Sequence, residues 1–344
     1  MSSFWNKAAG VAILLFLFSL RAAYGGPMVI KMATLAPEGS SWHRVLLEMG
    51  KEWETVSGGT VVLRIYPGGV VGDEDAMLRK MRVGQLQAAA ITGMGLAFLD
   101  RSFYGLHVPM MFSSDEEFRY VRNRLSPLLE KRLEEKGFLV LNWGDAGWVH
   151  FFAREAFTRP SEMKEMKLYI GAGDVPLTQL YKEAGFRPVP ISVVDILPGL
   201  QTGLIDAFNA TPLAALAFQW FALAPHMADL KWAPLTGATI IDKRAWEKIP
   251  EGIRPKILEI SRDASERLHR EIRNLNEEAM KAMIENGLKI THVSSSVEAE
   301  WRKMVEDIYP QVRGKIIPAD VFDAVRKYRD EFRSSAGPAR ALTR

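Results

Sequence analysis

The run from Trp53 to Gly95 constrains the fold most, because its hydrophobic period changes repeatedly within a short span. Ser57-Gly58-Gly59 ends a helix, and Val61, Leu63 and Ile65 then alternate with Val62, Arg64 and Tyr66 at strand period. Asp73, Glu74 and Asp75 open the next helix, where negative charge suits the positive end of the helix dipole. Met77, Leu78 and Met81 give that helix an apolar stripe, and Gly84 ends it. Gln87 to Thr92 is then a short apolar strand whose last residues, Thr92-Gly93, are expected to open onto a cleft. Strand, helix, strand, helix, strand in this order describes a doubly wound α/β lobe, which binds small ligands at the carboxyl ends of its strands.

At 344 residues the chain has room for two such lobes with sizeable cores. Its N-terminus is built differently. Lys7 precedes an apolar run from Ala8 to Leu20, and Ala23-Tyr24-Gly25 places small residues for cleavage before Gly26. Residues 1–25 therefore read as a secretory signal, with an apolar run shorter than the ~20 residues of a membrane span. There is no cysteine, hence no disulfide and no lipidation box. Loss of Lys7 and Arg21 with the signal leaves 42 of the 44 basic side chains against 41 acidic ones. A mature chain so near neutrality, with no basic cluster, does not suit nucleic-acid binding.

Along the chain, 29–35 is a first strand, and Ser40 or Ser41 caps a helix burying Val45, Leu46, Met49 and Trp53. Strands are expected over 138–143 and 148–153, joined by a turn at Gly144-Asp145-Ala146-Gly147. Of the flanking Trp143 and Trp148, one is expected in the core and the other in the cleft. Further on come a strand at 168–170, an Asp174-capped helix, a strand at 205–209 and a strand at 232–242 that returns to the first lobe. A long helix spans 253–286, and two amphipathic helices cover 297–309 and 319–332. The expected division is lobe I from 26–145 plus 232–252, lobe II from 146–231, helices of 253–333 packed across both, and a frayed tail at 334–344. Two lobes joined by several crossing segments suit closure about a ligand.

Catalytic patterns are missing: there is no nucleophile elbow, zinc-protease motif, Walker loop or dinucleotide fingerprint. The histidines are scattered; His269 reads as a solvated helix residue and His150 as part of an aromatic strand. A secreted enzyme using His150 with Asp145 or Asp206 is the rival from another class. The triplets Asp73-Glu74-Asp75 and Asp115-Glu116-Glu117 both sit where helix caps belong, so neither implies a metal site, and no cofactor is expected.

Several spacings together resemble the DctP-type solute-binding proteins of TRAP transporters. Ser57-Gly58-Gly59, Val61, Ile65-Tyr66-Pro67, Gly69 and Gly72, followed by a helix and Gly84-x-Leu86-x-Ala88, carry the first part. Pro160 to Leu168, Gly185-Phe186-Arg187-Pro188-Val189-Pro190 and Leu200-Gln201-Thr202-Gly203-Leu204-Ile205-Asp206 carry the second. The resemblance spans roughly 29–264. It implies a type II-like two-lobed periplasmic receptor that is not an enzyme, closing on a solute and delivering it to a membrane permease.

The chain departs from this family where a ligand would sit. Tyr169 occupies the position at which typical members carry an arginine that grips the solute carboxylate. Val149, next to Trp148, falls near a second family arginine; Ile191 replaces an aromatic; Asp206-Ala207-Phe208-Asn209 lacks a family glutamate. Each change puts apolar surface in place of polar. The residues expected to bind ligand are Tyr169, Asn209, Phe208, Trp148, Ile191, Thr92, Gly93 and Met94, around a hydrophobic or amphipathic solute. The alternative is a small organic acid held by another cation, Arg187 or Lys167, or by a metal. Lack of the arginine also resembles the subset of these receptors that partners a periplasmic tetratricopeptide-repeat protein.

Overall fold

The computed structural model describes residues 26–335, so the expected signal at 1–25 and the tail from 336 lie outside the described residues. One network of strands runs through the protein in the order β2 (Val61–Tyr66), β1 (Met28–Thr34), β3 (Ala88–Thr92), β9 (Ala233–Asp242), β4 (Phe138–Ala153), β7 (Ala207–Ala210), β5 (Lys167–Gly171) and β6 (Arg187–Ile191). In lobe I, β1 (Met28–Thr34) pairs in parallel with β2 (Val61–Tyr66) and β3 (Ala88–Thr92). In lobe II, β5 (Lys167–Gly171) pairs in parallel with β6 (Arg187–Ile191) and β7 (Ala207–Ala210). Parallel pairs need crossovers, and helices supply them in lobe I: α1 (Ser41–Val56) joins β1 to β2 and α2 (Glu74–Arg82) joins β2 to β3, while the single turn α3 (Gly93–Leu96) follows β3. Between the lobes' first strands lie a 3₁₀ segment at Arg101–His107 and the helix α4 (Asp115–Glu135).

The lobes are joined by β4 (Phe138–Ala153), whose length serves both. It pairs antiparallel with β9 (Ala233–Asp242) over lobe I and the junction, and with β7 in lobe II. The turn expected at Gly144 to Gly147 is therefore a correction. The chain does not reverse there; it makes a β-bulge between Asp145 and Gly147, with Gly147 taking φ +98°. A glycine at positive φ absorbs the extra residue of a bulge as readily as it turns a hairpin, so the local signal was the same. At Gly237 of β9 an added Cβ would stand 2.2 Å from the carbonyl oxygen of Ile91, so this strand lies against β3 only because the side chain is absent.

Lobe II carries α5 (Pro160–Glu165), α6 (Val175–Glu183), α7 (Ile196–Thr202) and α8 (Pro212–Ala217). After β8 (His226–Ala228) and β9, the helix α9 (Lys243–Lys248) leads into α10 (Arg254–Glu285). Gly287 follows α10 at φ +99°, the left-handed stop its sequence implies. Helix α10 packs on α1 and β4 in one lobe and on α8 in the other. The chain then runs through β10 (Lys289–Thr291), α11 (Ser295–Lys315, broken at Arg313-Gly314) and α12 (Ala319–Ser335). Helix α12 continues through Ser334 and Ser335, two residues beyond the expected onset of fraying.

Caps follow the sequence closely. Ser40 accepts from His43 N, Asp73 from Glu74 N, Ser114 from Glu117 N and Asp174 from Leu177 N. Each satisfies an amide that a helix start leaves open, worth about 1 kcal/mol. No helix among the described residues is long and apolar enough to cross a membrane.

Candidate functional site

Between the lobes lies a cavity of about 440 Å³, with β-strand ends from both sides on its wall. Lobe I contributes Asp73, Glu74, Thr92 and Met94; lobe II contributes Tyr169 and Asn209. Burial raises the Tyr169 hydroxyl well above its ordinary range, with Asp73 and Glu74 adding to the effect, so it stays a protonated donor. Neither that hydroxyl nor the Asn209 carboxamide hydrogen-bonds another described residue, which leaves both available to a ligand.

Of the eight residues expected at the site, Tyr169, Asn209, Thr92 and Met94 line the cavity and the other four do not. Phe208 is fully buried, stacked on Phe152 with ring centroids 5.0 Å apart. Strand alternation forbids Phe208 and Asn209 from facing the same way, so only one of this neighbouring pair could reach the cleft. Ile191 packs against Gly199 in the lobe II core. Gly93 is covered by His107, whose Cε1 would lie 1.9 Å from an added Cβ. Trp148 is buried and donates to Asp115 Oδ1 at 2.8 Å, while Trp143 stacks on Phe103 and donates to Glu130 Oε1 at 2.7 Å. Neither tryptophan faces the cavity: each indole N–H found a carboxylate on α4.

The wall has its own charge pattern. Its carboxylates are Asp73, Glu74, Asp75, Asp145 and Asp174, and among the described residues no Lys or Arg lines it. Lys167 turns to Asp206 and the carbonyl of Gly203, and Arg187 to the carbonyl of Glu165, so neither reaches the cleft. Asp145 accepts from Arg122 Nη1 at 2.5 Å and sits 2.7 Å from His269 Nδ1. Burial pushes its carboxyl up, but His269 and Arg122 outweigh burial and hold it at about 2. His269 is thus a partner in a buried cluster and not the solvated residue its helix suggested.

Two contacts cross the closed cleft. Asp73 Oδ2 accepts from Ser192 Oγ at 2.7 Å and from Val193 N at 3.2 Å. Asp174 Oδ2 accepts from Tyr104 at 2.5 Å, and Arg101 Nη1 lies 3.3 Å from the same oxygen. Both aspartates were legible as helix caps. That each also reaches the other lobe depends on tertiary placement, for which the sequence carries no local signal.

The catalytic rival loses its parts. His150 is not on the cavity wall, and burial pushes its imidazole down to about 4. Asp145 belongs to Arg122 and His269, and Asp206 to Lys167. Among the described residues no group of three or more acidic or histidine side chains is placed to hold a metal ion.

A two-lobed α/β protein enclosing a cavity between its lobes, with contacts that cross the cleft, has the architecture of a solute receptor. The chain belongs to the bacterial extracellular solute-binding proteins of family 7, the DctP family, whose model matches residues 32–315. It is similar to a solute-binding protein of Roseobacter denitrificans, 24% identical over 272 residues covering 76% of this chain and 81% of that one. It is 20% identical over 297 residues to the C4-dicarboxylate-binding periplasmic protein DctP of Rhodobacter capsulatus, covering 86% of this chain and 89% of that one. Its fold matches a sugar acid-binding protein of Advenella mimigardefordensis in complex with galactonate, with TM-score 0.83, 16% identity and coverage of 89% and 99%. A TRAP periplasmic solute-binding protein of Sulfurospirillum deleyianum with bound succinate gives TM-score 0.80, 19% identity and coverage of 89% and 99%. The protein is a TRAP-type solute receptor of this family and not an enzyme.

Proposed function

We propose that this receptor captures an apolar or amphipathic solute, lipid-like in character, in the periplasm and hands it to a TRAP permease. The observation that carries the reading is the cavity wall: Tyr169, which the resemblance puts where typical members carry an arginine, lines it, and among the described residues no Lys or Arg does. Closing a carboxylate into such a cavity without a cation costs roughly 2–5 kcal/mol relative to a paired one, or about 30- to several-thousand-fold in affinity. Aromatic and aliphatic walls such as Trp232, Phe218 and Ile308 offer apolar contact in its place. Export by the segment at 1–25 and a tetratricopeptide-repeat partner belong to the same proposal.

The second reading, a small organic acid, draws on the galactonate and succinate found in solved relatives. Native mass spectrometry of the purified exported protein separates the two. A long apolar molecule at one per chain supports the proposal, and a succinate-sized acid overturns it. Tyr169→Arg is expected to bring succinate binding at least about tenfold tighter than wild type, by supplying the missing cation. Equal succinate binding by wild type would sink the proposal.

A further inference from the structure

We propose that Glu74 sets the charge selectivity of the cavity, admitting uncharged solute heads and turning anions away. The inference rests on reading the cavity as the solute site and names the group that discriminates there. Glu74 opens α2, yet its side chain leaves the helix start and reaches β3. Thr92 N donates to Oε1 at 2.6 Å and Thr92 Oγ1 donates to Oε2 at 2.8 Å. Gly95 is the other half of the arrangement: an added Cβ would stand 2.6 Å from Glu74 Oε2, so only glycine lets α3 close over the carboxyl. Held this way, Glu74 is 6% exposed and forms cavity wall on the side from which its charge, with that of Asp73, acts on the Tyr169 hydroxyl.

Among the described residues no cation offsets it. On its own helix, Asp73 is engaged as cap and cross-cleft acceptor, and Asp75 pairs with Arg79. Elsewhere on the wall, Asp145 and Asp174 have their own cations. His107 is kept neutral by burial, its ring nitrogens beside the carbonyls of Phe103 and Thr236. Burial likewise keeps the hydroxyls of Tyr104, Tyr169 and Tyr181 protonated. An anionic head at this end meets Asp73 and Glu74 in a cavity of low dielectric, where like charges repel strongly. An uncharged head meets the free Tyr169 hydroxyl and Asn209 carboxamide. Burial also pushes Glu74 up to about 7, so the wall sheds a negative charge as pH falls through neutrality.

Octanoate and octanamide share a chain and differ in head charge, and titration calorimetry of each against the exported protein tests the idea. At pH about 8.5 wild type is expected to prefer the amide by roughly thirtyfold, narrowing at least about fivefold by pH about 6, where octanoate is still ionised. Glu74→Gln keeps an acceptor for Thr92 and the side-chain shape. It should show the narrow preference at both pH values. A preference unchanged in Glu74→Gln, or unchanged with pH in wild type, overturns the inference. So does octanoate binding wild type as well as octanamide, or binding of neither probe. A fatty acid recovered from the native protein would overturn this inference and leave the apolar solute standing, whereas a succinate-sized acid would overturn both.

Discussion

Asp174→Ala is expected to weaken solute binding about a hundredfold while leaving the fold of each lobe intact. The carboxylate does three things at once. Oδ1 caps α6 through Leu177 N at 2.9 Å, and Oδ2 takes the Tyr104 hydroxyl at 2.5 Å with Arg101 beside it. The cap is internal to lobe II and its loss costs about 1 kcal/mol in open and closed forms alike. The contacts to Tyr104 and Arg101 exist only when the lobes meet, and charged hydrogen bonds of this kind contribute about 1.5–3 kcal/mol. Losing roughly 3 kcal/mol from the closed form alone lowers affinity by about two orders of magnitude. Asp174→Asn, which retains a cap and an acceptor, should lose far less. Small-angle scattering would show the alanine variant remaining extended at solute concentrations that compact wild type. Unaltered affinity and compaction in that variant would mean the contact does not hold the cleft shut.

The second large effect is at Asp145. With Arg122 9% exposed and Asp145 10% exposed at the side chain, the cluster with His269 ties α4, β4 and α10 together. Asp145→Ala leaves the Arg122 guanidinium buried without its partner, at a cost of about 3–5 kcal/mol in unfolding free energy. Denaturant titration would read this as a shifted midpoint with unchanged slope. The pH dependence has a definite sign. Asp145 is held at about 2, below its ordinary 3.8, so its contribution is fully present above 3.8 and is lost as pH falls through about 2. That window is worth roughly 2 kcal/mol in wild type and should vanish in the variant. A variant as stable as wild type at pH about 7 would show the cluster to be dispensable.

Legibility in the sequence tracked how local each cause was. Helix caps at Ser40, Asp73 and Asp174 and the glycine after α10 depend on a few neighbouring residues, and the structure repeats them. The continuity of β4 does not: Gly144 to Gly147 can turn or bulge, and pairing with β9, far along the chain, selects the bulge. At the site, motif position led to Tyr169 and Asn209, but taking the neighbours Phe208 and Asn209 of β7 both as candidates ignored the two faces of a strand. Glu74 was missed because helix-dipole compensation explained its charge fully. The neglected signal was Thr92-Gly93-x-Gly95, where two small residues follow a strand end and mark a place that something else must fill. Asp174 meeting Tyr104 across seventy positions had no sequence signal at all.

The β4–β9 pairing, which crosses the junction with register shifts at Val140–Asn142 and Asp145–Gly147, carries a mechanical consequence. A joint made of loops turns at one or two peptides, but here the lobes share a hydrogen-bonded ribbon from Phe138 paired with Asp242 to Val149 paired with Ala233. Twist in such a ribbon varies by several degrees per residue at little cost, so opening is spread thinly along it instead of concentrated at a pivot. Amide exchange in β4 and β9 should therefore stay slow with and without solute, while the rims at Ser192 and Asp174 slow only on binding. A fast-exchanging pair within the ribbon would contradict this. The jaws ride on a torsion bar, and the bound solute sets its winding.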